Sequence, residues 1–130
     1  MQINCDGGSR GNPGHAAYGF VVKKDGKTIK EGYGYIGIAT NNFAEYTALI
    51  KALLWLEINA PGDSLEFNLD SQLVVSQLTG LYKIKNTDIK ELVIKVKELE
   101  KKFKKINYKH VPREQNKEAD ALVNKALDAL

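Results

Sequence analysis

The first third of the chain alternates between apolar and polar residues in a way that predicts three consecutive strands. Residues 1 to 6 alternate until a glycine-rich stretch breaks the pattern after Asp6, and residues 16 to 24 and 28 to 36 predict the next two strands. The Asp25-Gly26 pair between them is typical of a tight hairpin. We therefore expect an antiparallel meander whose first strand ends at Asp6.

The remainder of the chain alternates between helical and extended patterns. Apolar residues recur at helical spacing over 42 to 59, which places Glu45 in the first turn of that helix. Residues 64 to 70 alternate as a strand that ends at Asp70. The other predicted elements are a short helix at 71 to 79, a helix at 88 to 104, a strand at 106 to 111, a loop at 112 to 115 and a final helix at 116 to 130.

This order of elements predicts an α/β fold in which helices flank a mixed sheet. Asn116 is expected to cap the final helix. Asp120 then lies within about one turn of the helix start, where free backbone N–H groups and the helix dipole favour an anion. Ligands of such sheets bind beyond the carboxyl ends of parallel strands, so Asp6 and Asp70 should lie at the binding edge if their strands are neighbours.

Composition indicates one small domain. The 130 residues are 43% hydrophobic and contain no linker-like stretch, so we expect residues 1–130 to form a single domain. The one cysteine, Cys5, cannot form an internal disulfide. No leader-like segment is evident, and no window reaches the roughly 18 to 20 apolar residues of a membrane span, so we expect a cytoplasmic protein that does not enter membranes.

Positive charge is concentrated in one part of the chain. Residues 83 to 109 contain ten lysines and four acids, a local charge of +6 in a chain of net charge +3. A lysine-rich face beside an acidic pocket suits a polyanion that is held through its phosphates. A solvated helix face has the same composition, so the charge pattern alone does not identify a nucleic-acid site.

Four acids fall where a predicted strand ends or a predicted helix begins. They are Asp6, Glu45, Asp70 and Asp120. Carboxylate oxygens are the ligands that Mg²⁺ and Mn²⁺ prefer, and two such ions close together promote phosphodiester hydrolysis. Any one of these acids by itself could be a helix cap or a solvated surface group. Taken together, their positions favour a metal-dependent nuclease.

Four segments of the chain resemble type 1 ribonuclease H. They are DGGSRGNPGHAAYGFVV at 6 to 22, TNNFAEYTAL at 40 to 49, LDSQLVV at 69 to 75 and REQNKEADALV at 113 to 123, in the order of the family. The resemblance implies a five-stranded mixed sheet, in which the first three strands form an antiparallel meander and the last two run parallel to the first. It also implies endonucleolytic hydrolysis of the RNA strand of RNA/DNA hybrids, giving 3′-hydroxyl and 5′-phosphate ends.

The resemblance also implies roles for individual residues. The implied ligands of two Mg²⁺ ions, or of Mn²⁺ as a substitute, are Asp6, Glu45, Asp70 and Asp120. The implied substrate contacts are Gly7, Asn12, Thr40, Asn41, Gln72 and Asn86, among which Thr40 and Asn86 form a pocket for a phosphate of the DNA strand. The alternatives are a tight turn at Asn12, a helix cap at Asn41 and simple exposure of Gln72.

The chain departs from the pattern of the family in two places that concern substrate binding. Ile38 replaces an arginine that often belongs to the phosphate pocket, which removes a charged donor and predicts relaxed substrate choice. Between Gly80 and Leu92 there is no room for the basic protrusion of some members. Substrate affinity is then expected from the lysines of the helix at 88 to 104, together with Lys83 and Lys85, and binding should be sensitive to salt.

A third departure concerns the residue that assists product release, which is a histidine in many members. His110 has the usual spacing from Asp120, but the shortened loop leaves it on the predicted strand. Arg113 then occupies the position of the residue that assists product release, where it would act by charge and hydrogen bonding. We favour Arg113 for this role and keep His110 as the alternative. Without a functional role, Arg113 would be a surface cation and His110 a side chain at the end of a strand.

Two other functions remain open. One is a nuclease of the same fold with a relaxed substrate range that includes double-stranded RNA. The other is a non-catalytic module that binds nucleic acid, which the intact set of four acids disfavours. In each case the expected partner is nucleic acid, an RNA/DNA hybrid in the leading interpretation, and the expected form is a monomer.

Overall fold

The computed structural model describes residues 1–130. Its strands are β1 (Gln2–Arg10), β2 (Gly14–Lys24), β3 (Lys27–Ala39), β4 (Ser64–Leu69) and β5 (Lys105–His110). Its helices are α1 (Asn41–Asn59), α2 (Gln72–Leu78), α3 (Thr87–Glu100) and α4 (Lys117–Asp128), with a 3₁₀ helix at Arg113–Asn116. Every predicted strand and helix is present, and the residues predicted as the last loop form the 3₁₀ helix.

The five strands form one mixed sheet in the order β3-β2-β1-β4-β5. β1, β2 and β3 are antiparallel neighbours, whereas β4 pairs in parallel with β1 and β5 pairs in parallel with β4. The hairpin between β2 and β3 turns at Asp25 and Gly26, which both have positive φ, 53° and 79°. The predicted α/β fold, with its meander and its two added parallel strands, is confirmed.

β1 does not end at Asp6, contrary to the sequence-based expectation. The glycine-rich residues that follow remain paired with β2 as far as Arg10, which lies opposite His15. The parallel pairing with β4, however, stops at Cys5, opposite Leu69. Asp6 and Asp70 are therefore each the first residue beyond the shared parallel ladder, so they emerge side by side at one edge of the sheet.

The helices cover both faces of the sheet. The larger core lies between the sheet and α1, α2 and α3, and its fully buried members include Ile3, Tyr46, Leu49, Leu53 and Phe67. Full burial of each such side chain contributes about 1.5 to 3 kcal/mol. A smaller cluster holds α4 on the other face, consisting of Ala17, Val123, Ala126 and Leu127. α1 and α4 are thus fixed on opposite sides of β1 and β2.

α3 ends at Glu100, four residues earlier than the predicted boundary, and a turn leads into β5. The apolar stripe of α3 packs as predicted, with Ile89, Val96 and Leu99 buried against the larger core. α2 and α3 are joined by residues 79 to 86 alone, so no protrusion separates them. None of the helices combines the length and the apolar character that crossing a bilayer requires.

Candidate active site

Three of the four predicted carboxylates meet at the edge of the sheet where the β1–β4 ladder stops. Carboxylate oxygens of Asp6, Glu45 and Asp70 lie within 4.8 Å of one another. Asp6 is 8% exposed, and the other two are half-buried. They line an open polar cavity of about 460 Å³, which Asp120 and Arg113 also line. Residues far apart in sequence are therefore gathered on one concave surface.

Glu45 reaches this cluster from α1. Thr40 caps the helix, because its Oγ1 accepts a 3.2 Å hydrogen bond from the N–H of Phe43. The helix begins at Asn41, so Glu45 starts the second turn and the first turn holds no acid, which corrects the predicted position. A Cβ on Gly7 would lie 2.1 Å from the carbonyl carbon of Ala44, so only glycine lets α1 approach β1 this closely.

Asp120 reaches the cavity from the first turn of α4, as predicted. It lies outside the mutual 4.8 Å set of three, and its Oδ2 accepts a 3.4 Å hydrogen bond from Nδ2 of Asn124. Gly19 permits the approach of α4, since a Cβ there would lie 2.6 Å from the carbonyl oxygen of Ala119. Gly7 and Gly19 thus allow α1 and α4 to pack close to the sheet. This close packing brings Glu45 and Asp120 near Asp6.

Asn116 occupies the N-cap position of α4, as predicted, but its side chain does not cap the helix. Its side chain makes no capping hydrogen bond and instead donates a 2.8 Å hydrogen bond from Nδ2 to the carbonyl oxygen of Cys5. Its Oδ1 accepts a 3.0 Å bond from Nδ2 of Asn4. The buried amide therefore ties the start of α4 to β1 next to Asp6, rather than satisfying its own helix.

The crowding of carboxylates raises the pKa of two of them. Burial, followed by the negative charges of Asp70 and Glu45, raises the pKa of Asp6 from 3.8 to about 8. Burial also raises the pKa of Glu45 from 4.5 to about 7, although the Ser71 hydroxyl and the charge of Arg113 act in the opposite direction. No lysine or arginine forms an ion pair with Asp6 or Asp70. Arg113, which forms no ion pair with these acids, offsets only part of the charge of the cluster.

The donor set suits a divalent cation. Three carboxylates supply hard oxygen ligands only, as Mg²⁺ and Mn²⁺ prefer, and no histidine or cysteine side chain joins the group. A bound dication would also relieve the mutual repulsion that raises the pKa of Asp6. The residues present thus fit a metal centre at Asp6, Glu45 and Asp70.

Ser71 lines the same cavity, although the sequence analysis did not single it out as a site residue. Its Oγ accepts a 3.2 Å hydrogen bond from the N–H of Val74 and so caps α2. Serine between the end of a strand and an amphipathic run is a recognisable capping signal. Because Ser71 directly follows Asp70, recognising it as the cap of α2 would have predicted that it lies beside the carboxylates.

Arg113 and His110 occupy different surroundings. Arg113 begins the 3₁₀ helix and lines the carboxylate cavity, where its charge lowers the pKa of Glu45. His110 is the last residue of β5; it is exposed and does not line that cavity. The placement agrees with the preference for Arg113, while the role of either residue in product release stays a prediction.

The turn between β1 and β2 is fastened to the start of α1 by two asparagines. Oδ1 of Asn12 accepts a 3.0 Å hydrogen bond from the N–H of Asn41, and Oδ1 of Asn41 accepts a 2.8 Å bond from the N–H of Ser9. Asn41 is therefore not the helix cap, a role that Thr40 takes. Because both amide oxygens are used within the protein, the NH₂ groups are left to donate to a ligand.

Thr40 and Asn86 lie next to each other at the starts of α1 and α3. Both residues line two adjacent cavities, of about 310 and 320 Å³, and Ile38 lines the first of these with 66% of its surface exposed. Gln72 stands apart from this group. It is exposed on α2, donates a 3.1 Å hydrogen bond to Oγ of Ser76, and lines none of the cavities near the carboxylates.

Most lysines beyond α3 lie far from the carboxylates. The carbonyl of Lys102 accepts a hydrogen bond from Gly62, the N–H of Lys104 donates to Asp63, and Lys105 pairs with Ser64 at the start of β4. The start of β4 is separated from Asp70 by the length of the strand, which is about 20 Å at 3.3 Å per residue. These lysines therefore lie at the starts of β4 and β5, away from the carboxylates, and the contribution of the α3 lysines to substrate affinity stays a prediction.

Comparison with known proteins identifies the family. A family model described as reverse transcriptase-like matches residues 4–126. The chain is 48% identical over 124 residues to ribonuclease HI of Halobacterium salinarum, covering 95% of this chain and 62% of that protein. It is 45% identical over 129 residues to a bifunctional protein of Mycobacterium tuberculosis, covering 98% of this chain and 35% of that protein. The chain thus spans between one third and two thirds of these relatives.

Solved structures match more completely. RNase H1 of the halophilic archaeon Halobacterium salinarum superimposes with a TM-score of 0.94 at 45% identity, covering 99% of this chain and 98% of that one. LC11-RNase H1, solved in complex with an RNA/DNA hybrid, gives a TM-score of 0.94 at 41% identity, covering 98% of this chain and 96% of that one. With its fold, its gathered carboxylates and these relatives, the chain belongs to the type 1 ribonuclease H family.

Proposed function

We propose that this chain is a metal-dependent endoribonuclease that hydrolyses the RNA strand of RNA/DNA hybrids to 3′-hydroxyl and 5′-phosphate ends. The observation that carries the proposal is the set of three carboxylates within 4.8 Å, open to a polar cavity, in a chain of this family. LC11-RNase H1, which is 41% identical, was solved with an RNA/DNA hybrid. We propose the same substrate here.

Asp6, Glu45 and Asp70 would hold the metal, with Asp120 completing the acidic wall of the cavity. When bound, two Mg²⁺ ions, or Mn²⁺ as a substitute, supply a nucleophile at neutral pH and stabilise the leaving oxygen. Asp6 is fixed by a strand paired on both sides, and Glu45 by a helix that packs directly on that strand. This rigidity holds the ligands in position before substrate arrives.

Arg113 is proposed to assist the release of product. Its guanidinium faces the cavity close enough to Glu45 to lower the pKa of that residue. A guanidinium can donate two parallel hydrogen bonds to a phosphate. It would therefore engage the newly formed 5′-phosphate by charge, without transferring a proton.

The turn between β1 and β2 is proposed to read the RNA strand. The free NH₂ groups of Asn12 and Asn41 can donate to 2′-hydroxyl groups or base edges, which distinguish RNA from DNA. Gly7 and Gln72 stay proposed contacts on the strength of the family resemblance. For Gly7 the structure gives a second reason for glycine, because α1 fills the space of its side chain.

Thr40 and Asn86 are proposed to bind a phosphate of the DNA strand. Thr40 Oγ1 and Asn86 Oδ1 accept hydrogen bonds from the helix N–H groups of Phe43 and Ile89. The Thr40 hydroxyl proton and the Asn86 NH₂ group are therefore directed to other acceptors, as a phosphate requires. Because Ile38 supplies no charge to this pocket, activity on double-stranded RNA is a second candidate function.

A substrate panel tests both functions. Uniform RNA/DNA hybrid, RNA duplex, DNA duplex and single strands would each be incubated with Mg²⁺, Mn²⁺ or a chelator, and the product ends analysed. We expect metal-dependent cleavage of the hybrid and none by the Asp70→Asn variant. Cleavage of DNA, or activity that survives chelation, would overturn the proposal. Cleavage of the RNA duplex at a comparable rate would establish the relaxed range.

A further inference from the structure

A lysine outside the family's motifs faces the proposed phosphate pocket. The cavity of about 320 Å³ lies between the turn that follows β1, the start of α1 and the segment that joins α2 to α3. Among the residues that line it, Lys85 is the only lysine or arginine, and its polar neighbours include Asn12, Thr40 and Asn86. An ammonium group therefore shares one cavity with the two donors already assigned to a DNA phosphate.

Lys85 has no competing acidic partner. The three ion pairs of the protein join Arg10 to Asp128, Lys23 to Glu118 and Lys97 to Glu100. Lys85 takes part in none of them, and no hydrogen bond of its side chain to another residue is formed. Its three N–H donors are thus free to bind an anion in the cavity.

The segment that carries Lys85 is held at both ends. On one side, the N–H groups of Leu81 and Tyr82 donate to the carbonyl oxygen of Ser76 in α2, at 2.8 and 3.3 Å. On the other side, Asn86 caps α3 through a 3.1 Å hydrogen bond from the N–H of Ile89. Lys85 directly precedes this cap, so the position of its backbone relative to the cavity is fixed.

The adjoining cavity has the opposite electrostatic character. It shares Thr40 and Asn86 with the cavity that Lys85 lines but is also lined by Ile38 and Asp88, with no lysine or arginine. An acid repels a phosphate at short range, and Ile38 offers no donor. A phosphate that contacts both Thr40 and Asn86 is therefore favoured on the Lys85 side and disfavoured on the Ile38 side.

We propose that Lys85 is the charged donor of the DNA-phosphate pocket, replacing from the α2–α3 segment the cation that Ile38 does not supply from β3. This inference rests on the proposed function, since it assumes that a hybrid occupies the site. It assigns binding of the DNA strand to a triad of Lys85, Thr40 and Asn86. Lys85 would set substrate affinity without touching the bond that is cleaved.

The first test compares Lys85→Ala with Lys27→Ala, because Lys27 is exposed at the start of β3, forms no ion pair and does not line the cavity. Affinity for a short hybrid would be measured with Mg²⁺ in an Asp70→Asn background that prevents cleavage, over a range of salt. We expect Lys85→Ala to weaken binding about tenfold and to reduce the slope of log K against log salt by about one. Lys27→Ala should change affinity less than about twofold.

The second test locates the contact. Single phosphates of the DNA strand would be replaced by neutral methylphosphonates, one position at a time. At one position, the methylphosphonate should weaken binding by the protein that retains Lys85. The same methylphosphonate should cause little further loss of binding by Lys85→Ala, because the neutral phosphate and the lysine substitution remove the same interaction. Equal losses at every position in both proteins would overturn the assignment.

The outcomes separate this inference from the function on which it rests. If the wild-type chain cleaves no hybrid, the proposed function fails. If it cleaves hybrid but Lys85→Ala and Lys27→Ala bind alike, the function stands and the role of Lys85 is refuted. Lys85→Arg should retain most of the affinity, and thermal unfolding of each variant would show that the exposed substitution leaves the fold intact.

Discussion

Nδ2 of Asn116 donates a 2.8 Å hydrogen bond to the carbonyl oxygen of Cys5, the residue that precedes Asp6. Asn116 is 1% exposed, and its Oδ1 accepts from Asn4 on the same strand. The side chain thus links the start of α4 to β1 at the level of the metal site. Because Asp120 lies one turn into α4, this link helps to set the position of Asp120 relative to Asp6.

Asn116→Ala should lower both stability and turnover. The substitution leaves a buried cavity and removes two hydrogen bonds, which we expect to cost about 1 to 3 kcal/mol of unfolding free energy. Asn59→Ala is the matched control, since the exposed Asn59 side chain also donates one 2.8 Å bond to a backbone carbonyl, that of Trp55. Urea unfolding and kcat on a hybrid would be measured; equal effects of the two substitutions would contradict a special role for Asn116.

Asp6→Asn should stabilise the metal-free protein at alkaline pH while abolishing activity. The pKa of Asp6 is raised from 3.8 to about 8, so the folded state holds a proton that the unfolded chain releases. Stability without metal therefore falls as pH rises from about 4 to about 8, and the neutral amide removes this loss. We expect the melting temperature in chelator at pH 8 to rise by roughly 3 °C or more.

Two controls accompany this prediction. At pH 3 the Asp6 carboxyl is mostly protonated in both the folded and the unfolded state, so Asp6→Asn should change the melting temperature much less there. Asp63→Asn, which alters an exposed acid at the opposite end of β4, should have little effect at either pH. A destabilised Asp6→Asn protein at pH 8 in chelator would show that burial and repulsion of the charged Asp6 carboxylate do not destabilise the metal-free fold.

Gly7→Ala should destabilise the fold, whereas Gly8→Ala should be tolerated. A Cβ on Gly7 would meet the backbone of Ala44 at 2.1 Å, and α1 would have to move away from β1. A Cβ on Gly8 would meet nothing closer than 3.5 Å, at a side-chain carbon of Val123. We expect a loss of about 2 kcal/mol or more for Gly7→Ala, measured by urea unfolding. Similar stabilities of the two variants would refute the packing argument.

Arg113→Ala should slow turnover, and His110→Ala should not. Arg113 lines the carboxylate cavity and His110 lies outside it. Steady-state and burst kinetics on a hybrid would separate cleavage from release, and we expect a lower steady-state rate with the burst retained. If only the histidine variant slows turnover, the assignment of Arg113 is wrong.

The strands, the helices and the acidic residues of the site could be predicted from local patterns in the sequence. Alternation along Ser64–Leu69 and helical spacing along α1 follow from which residues face the core, and this is a local property of the chain. Asp25-Gly26 adopts positive φ wherever it occurs as a tight turn. The motifs around the four acids were sufficient to identify the family, because each motif contains one acid of the site together with its neighbours in the sequence.

The positions of those residues relative to one another depend on long-range packing. Asp6 lies inside β1, and its position at the binding edge depends on where β4 stops pairing. Asn116 bonds to a residue 111 positions away, so a capping rule could not predict its partner. Lys105 and Lys85 look alike in sequence. The fold nevertheless places Lys105 at the start of β5, at the opposite end of β4 from Asp70, and Lys85 in a cavity, because packing sets distances that local patterns do not contain.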